Sequence, residues 1–280
     1  MSISVFLAVV FAALLHASWN ATVKSGGDKL VSMSAIVVGH TPLALIAIPF
    51  VPLPAPESWP FIMASALIHI TYQFVLLSAY RVGDFTLVYP VARGSAPLLV
   101  TAFTIVFLSE QLTTMHLLAV LLISGGILNL GLARASDGLR NPKAAWLAVA
   151  TGCCIASYSL VDGFGARAAG TSVGFYAWMT CINTALYSAI VAMRSPASLV
   201  KVFTDARGLM LLGGGASFIA YAIATWAFTQ APIALVMALR ESSIIFALLI
   251  GVLFLNERFT LIKYLAIAST VAGAILMRLV

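Results

Sequence analysis

Charge is what this sequence has least of. Only 9% of its 280 residues are charged, against 62% hydrophobic, where a soluble domain uses about a quarter charged residues. Too little polar surface remains to face water, so the natural solvent of the chain is a bilayer. Cysteine is also scarce. Cys153, Cys154 and Cys181 are odd in number and two are adjacent, which excludes a disulfide framework. No Cys/His spacing suits a metal, and no cofactor is expected. There is no G-x-x-x-x-G-K-[S/T] to hydrolyse ATP, no H-E-x-x-H, and no nucleophile fixed beside a base, so an enzyme is not expected. The net charge of +6 comes from scattered Lys and Arg in short connections. It forms no basic patch interleaved with aromatics, which argues against a nucleic-acid partner.

What is there is long apolar runs. A membrane span needs about 20 of them in a row. Ten stretches qualify: 3–23, 31–53, 59–80, 85–108, 114–133, 143–161, 171–193, 207–228, 232–254 and 260–279. The first lacks a basic leader and a small-x-small cleavage site, so it reads as a retained helix and not a signal peptide. The connections are punctuated by SGGDK, PLPAPES and DGLRNPK and leave no room for a soluble domain. Runs this long are expected to be helical, because lipid offers no partner to free backbone groups.

One stretch occurs twice. Residues 89–113 read YPVARGSAPLLVTAFTIVFLSEQLT, and residues 236–260 read VMALRESSIIFALLIGVLFLNERFT. Ungapped alignment places Arg93 on Arg240, Ser95 on Ser242, Glu110 on Glu257 and Thr113 on Thr260. The shared period is 147 residues (257 minus 110), one copy per half. Five spans per half is an odd number, so the halves must run in opposite directions. The expected architecture is an all-α membrane protein of ten transmembrane helices in two inverted five-helix repeats, 1–136 and 137–280. Transporters built this way hold their site near the midplane, between the repeats.

These repeated segments, with their L-x-E-x-x-T endings at 108–113 and 255–260, resemble the EamA branch of the drug/metabolite transporter superfamily. HASWNATVKSG at 16–26 fits the same pattern. The resemblance covers the whole chain. It implies secondary transport of small metabolites, often amino-acid export.

Polar residues inside the spans mark a candidate cavity. Span 1 carries His16, Trp19 and Asn20 on one helical face. Span 3 carries Ser65, His69, Tyr72 and Tyr80, with Gln73 beside them. Spans 4, 6, 8 and 9 contribute Tyr89 and Arg93, Tyr158, Tyr221, and Arg240 with Glu241. Spans 5 and 10 hold few such groups and carry small residues instead, so they are expected at the periphery as packing helices. Trp59, Trp146 and Tyr264 read as interface anchors. Asp84 and Asp162 read as solvated or capping, Asp162 because it falls just past the end of span 6. Glu110 and Glu257 precede a Thr that can cap the next helix and read as structural. Pro90 and Pro97 make span 4 the expected bending element.

Arg93 and Arg240 each lie about eight residues into a span, roughly 12 Å deep at 1.5 Å per residue. A charge facing lipid costs several kcal/mol, so both are expected to face a cavity or a partner. Glu241 follows Arg240 directly, about 100° around a helix, and is poorly placed to pair with it. Truncation of either arginine is expected to abolish transport and spare the fold. The expected function is secondary transport by alternating access of a small zwitterionic or anionic, amino-acid-like metabolite, held by Arg93, Arg240, Tyr89, Trp19, Asn20, Tyr72, Tyr158 and Tyr221. The alternative is an organic cation such as choline in an aromatic cage, with Glu241 as counter-charge. Protons are the expected coupling partner, with Glu241, His16 and His69 as carriers. The other partners are the substrate and the lipid bilayer, and the chain is expected to be a monomer or weak dimer in a bacterial cytoplasmic membrane. A channel fits less well, because pores gather repeated charges or carbonyl loops around one axis.

Lys24, Lys29, Arg81, Arg134, Arg140, Lys143, Arg194, Lys201, Arg207, Arg258 and Lys263 all fall on one side of this arrangement. Arg167 and Arg278 fall on the other. Short-loop Lys and Arg prefer the cytoplasm, which places both termini outside. The family resemblance implies both termini inside. A cysteine introduced at Ser2 is expected to react with an impermeant maleimide on intact cells. Reaction only after permeabilisation places the termini in the cytoplasm.

Overall fold

A computed structural model describes residues 1–24, 28–108, 110–134, 141–254 and 260–279. Glu257, Leu255 and Arg258, and with them most of the second L-x-E-x-x-T ending, lie outside the described residues, as do Ser109 and Arg140. The chain is an all-α membrane protein with ten helical segments long and apolar enough to cross a bilayer. In chain order they are α1 (Ile3–Lys24), α2 (Lys29–Ala47), α3 (Trp59–Val82), α4 (Phe85–Leu108), α5 (Thr114–Arg134), α6 (Pro142–Ala168) and α7 (Ser172–Arg194). A short α8 (Pro196–Thr204) follows. Then come α9 (Gly214–Gln230), α10 (Ile233–Arg240), α11 (Ser243–Phe254) and α12 (Leu261–Leu279).

Local chemistry explains several starts. Asp28 accepts the N–H groups of Leu30 and Val31 at 2.9 and 3.2 Å and caps α2. Thr113 accepts the His116 N–H at 3.2 Å and caps α5, the role expected of it. Asn141 caps α6 through the Ala144 N–H and also donates to the Val82 carbonyl at 2.7 Å, tying α6 to the end of α3.

Three features depart from a plain ten-span reading. The nine-residue α8 is too short to cross a membrane. It buries Ser198 and Val202 and exposes Val200 and Phe203, as an amphipathic connector does. Span 8 opens with a π-helical turn, Leu209–Gly213, where α2 crosses at its Gly39. A Cβ at Gly39 would fall on the Met210 carbonyl, so this crossing requires glycine. Span 9 is broken: α10 stops at Arg240 and α11 begins at Ser243. The N–H groups of Glu241 and Ser242 reach back three residues, to Ala238 and Leu239, both at 3.0 Å. The irregularity therefore sits in span 9. Span 4 runs through Pro90 and Pro97 as one helix.

Packing between the two halves follows a reciprocal pattern. α3 and α4 pack on α6, while α1 packs on α9, α10 and α11. α2 lies against α7, and α5 runs along α12. In both of the last two pairs the contact joins residues one repeat period apart. The Thr184 hydroxyl donates to the Val37 carbonyl at 3.0 Å (184 minus 37 is 147). The Ser269 hydroxyl donates to the Leu122 carbonyl at 2.6 Å (269 minus 122 is 147). Small residues allow the second approach, with a Cβ on Gly126 only 3.1 Å from Ser269.

Candidate functional site

Helices α1, α2, α3, α4, α6, α7, α9 and α10 line a cavity of about 150 Å³ whose largely apolar wall carries polar side chains. That is room for about five waters at ~30 Å³ each, the scale of a small solute. No described residue of α5 or α12 lines it, which matches their expected peripheral place. Trp146 and Tyr264 are exposed on the outer surface, as membrane-interface residues would be. Trp59 instead packs against Trp178, with ring centroids 5.5 Å apart.

The structure brings together Arg93, Arg240, Tyr89, Trp19, Asn20, Tyr72, Tyr158, Tyr221, His16 and His69 on the wall of this one cavity. Glu241 is absent from the lining. It lies behind Arg93 and is 2% exposed. His40, Gln73 and Asn183 also line the cavity. The Gln73 amide donates to the Asn183 side-chain oxygen at 3.2 Å, and Asn183 donates to the Ala66 carbonyl at 3.1 Å, fixing α3 against α7.

The two arginines are not equivalent. Arg93 Nε donates to Glu241 Oε2 at 2.9 Å, and both side chains are buried. The break between α10 and α11 carries Glu241 across the interface to α4. Arg93 therefore cannot be removed without stranding a buried carboxylate, which corrects the expectation that its truncation spares the fold. Arg240 has no carboxylate within ion-pair distance among the described residues. Its guanidinium donates weakly to Met237 Sδ at 3.6 Å and lies 4.8 Å from the centroid of the Tyr221 ring. The repeat alignment shows why. Glu241 falls opposite Gly94 in the first copy, so the acid that closes on Arg93 has no counterpart for Arg240.

Asp162 is the residue the sequence reading misplaced. It is neither solvated nor a cap: α6 continues to Ala168, and Asp162 is 0% exposed. Its Oδ1 accepts from Ser65, and its Oδ2 accepts the Tyr221 hydroxyl at 2.5 Å and lies 3.2 Å from His69 Nε2. Two signals pointed to it: Ser65 and His69 stand at i, i+4 on α3, and Tyr158 and Asp162 at i, i+4 on α6.

Aromatic rings complete the wall. His69 stacks on Tyr158 at 4.1 Å and meets Tyr221 edge-on at 5.6 Å. His16 and Trp19 meet edge-on at 5.1 Å, and the Asn20 amide donates back to the His16 carbonyl at 2.8 Å. Arg93 lies 6.0 Å from the Tyr89 ring centroid.

Comparison with curated proteins returns no match. A solved crystal structure, described only as that of a protein, superposes with a TM-score of 0.78 at 20% identity, covering 99% of this chain and 98% of the other. At that identity the likeness speaks for the fold alone. The profile of the EamA-like transporter family matches residues 142–279, the whole second half of the ten-helix arrangement. The chain belongs to this family, as an EamA-type membrane transporter of the drug/metabolite transporter superfamily.

Proposed function

We propose that the protein is a secondary transporter that carries a small zwitterionic or anionic metabolite, amino-acid-like in size, by alternating access across a bacterial cytoplasmic membrane. The observation that carries this reading is the pairing of one arginine and not the other. Arg93 is neutralised by Glu241, while Arg240 presents its planar fork to the cavity with no acid within ion-pair distance among the described residues. A guanidinium in that setting suits a carboxylate or phosphonate. Tyr221, Tyr158, Tyr72, Tyr89, Trp19 and Asn20 then supply the walls and hydrogen bonds around the rest of the solute. The organic-cation reading is weaker, because among the described residues the cavity wall carries Arg93 and Arg240, while Glu241 and Asp162 sit behind it.

Alternating access is supported by the reciprocal packing of the halves. In an inverted repeat, residues one period apart meet where the pseudo-twofold axis passes, as Val37 with Thr184 and Leu122 with Ser269 do. The halves 1–136 and 137–280 would then rock about that axis around a fixed site.

The test is counterflow. Purified protein in liposomes preloaded with one unlabelled solute is given the same solute labelled, across a panel of amino acids and small organic acids. We expect saturable uptake that is stimulated by the internal solute for at least one member. Flux that is linear in concentration and indifferent to internal solute describes a pore and sinks the reading.

A further inference from the structure

We propose that Asp162 and His69 form one proton-binding site, loaded from the cavity through His69 when a substrate's negative charge is bound at Arg240. This rests on the reading of Arg240 as the anion anchor. Asp162 is fully buried and does not reach the cavity, whereas His69 lines it with a side chain 14% exposed. The carboxylate is held by two neutral hydroxyls, those of Ser65 and Tyr221, and by the His69 ring. Among the described residues, His69 is the one basic group within ion-pair distance of it. The carboxylate and the imidazole can therefore share one proton across their 3.2 Å contact. The ring is also placed to carry one: it stacks on the face of Tyr158 at 4.1 Å, and an aromatic face favours a cation.

The charge balance gives the pair its role. Arg93 and Glu241 cancel. Arg240 and Asp162 cancel when His69 is neutral. The empty cavity is therefore neutral, and a bound monoanion leaves one uncompensated negative charge inside a low-dielectric wall. Such a charge is expensive. One proton on the His69–Asp162 pair restores neutrality. A net-neutral zwitterion needs none. The titratable and charged groups that share the cavity wall with His69 are His16, His40, Tyr72, Tyr80, Tyr89, Tyr158, Tyr176, Tyr221, Arg93 and Arg240, from α1, α2, α3, α4, α6, α7, α9 and α10. Of these, His16 and His40 are the other imidazoles, and His69 is the one that contacts Asp162.

Two measurements test this. The first needs no substrate. Infrared difference spectra and ¹⁵N-histidine NMR of the protein in lipid vesicles, taken from alkaline to mildly acidic pH, are expected to show one proton taken up by the pair. The signal is either the His69 imidazolium or the C=O stretch of a protonated carboxylic acid, and it is lost in Asp162→Asn. If that variant does not accumulate, His69→Gln carries the test, and the wild-type signal must again be lost or move in pH. A protonation signal unchanged in both variants, or absent from the wild type, overturns the proposal. The second measurement follows pyranine sealed inside proteoliposomes while labelled L-aspartate or L-alanine is added outside. L-Aspartate is expected to enter with one proton and L-alanine with none. Aspartate uptake without internal acidification overturns the proposal. If neither amino acid enters, the substrate reading fails, and the proton site stands or falls on the spectra alone.

Discussion

Exchange of Arg240 for glutamine is expected to lower uptake at sub-saturating substrate about ten- to a hundredfold while leaving the protein as stable as the wild type. The guanidinium faces the cavity from the last residue of α10, and its neighbours are a methionine sulfur and a tyrosine face, with no carboxylate within ion-pair distance among the described residues; the Asp162 charge it balanced is met by a proton on the His69–Asp162 pair. A hydrogen bond to a charged group contributes about 1.5–3 kcal/mol net. At 1.4 kcal/mol per factor of ten, the loss of affinity is about ten- to a hundredfold. On the protein side the loss is a cation–π contact of about 0.5–2 kcal/mol, offset by removing a buried charge. Arg240→Lys keeps the charge but loses the two-pronged fork, so it should retain partial activity with weaker apparent affinity. Uptake in proteoliposomes and thermal unfolding in detergent check both halves of the statement. Full transport by Arg240→Gln removes this residue from the site.

The helices themselves were legible because hydropathy is a strong signal in a chain with so few charges. The peripheral α5 and α12 were legible too, since their polar-poor faces and small residues can serve only packing. What failed was the treatment of polar residues at the ends of apolar runs. Asp162 looked like the end of span 6 because a charge after an apolar stretch usually meets water. The residues that follow, GFGARAA, hold no proline and a single charge, and α6 continues through them and carries Asp162 into the protein instead. The Arg93–Glu241 pair was illegible for a different reason. Its members are 148 residues apart, and their meeting depends on a helix break at Glu241 and Ser242 that has neither proline nor glycine to announce it. Once that pair is seen, the alignment accounts for the asymmetry between the arginines, because Gly94 stands opposite Glu241.

That pair supports the second large expected effect. Arg93→Gln leaves Glu241 buried, 2% exposed, beside a neutral amide. Glu241→Gln leaves the Arg93 guanidinium in the same position. Breaking a buried ion pair from one side costs about 3–5 kcal/mol, because the remaining charge keeps its desolvation penalty and loses its compensation. Replacing both members removes both penalties together, so Arg93→Gln combined with Glu241→Gln should recover most of the stability lost by either single change. The residues are in direct contact at 2.9 Å, so their effects are expected to be strongly non-additive, with a coupling of several kcal/mol. Thermal or denaturant unfolding of the four proteins in one detergent closes the cycle. Equal, additive losses in the singles and the double would mean that the pair exerts no mutual stabilisation and that Arg93, like Arg240, is held by the cavity alone. The expected pattern, two unstable singles and a recovered double, instead identifies the contact as a structural tie between α4 of the first half and the broken helix of the second. Arg240 is then the arginine left for substrate.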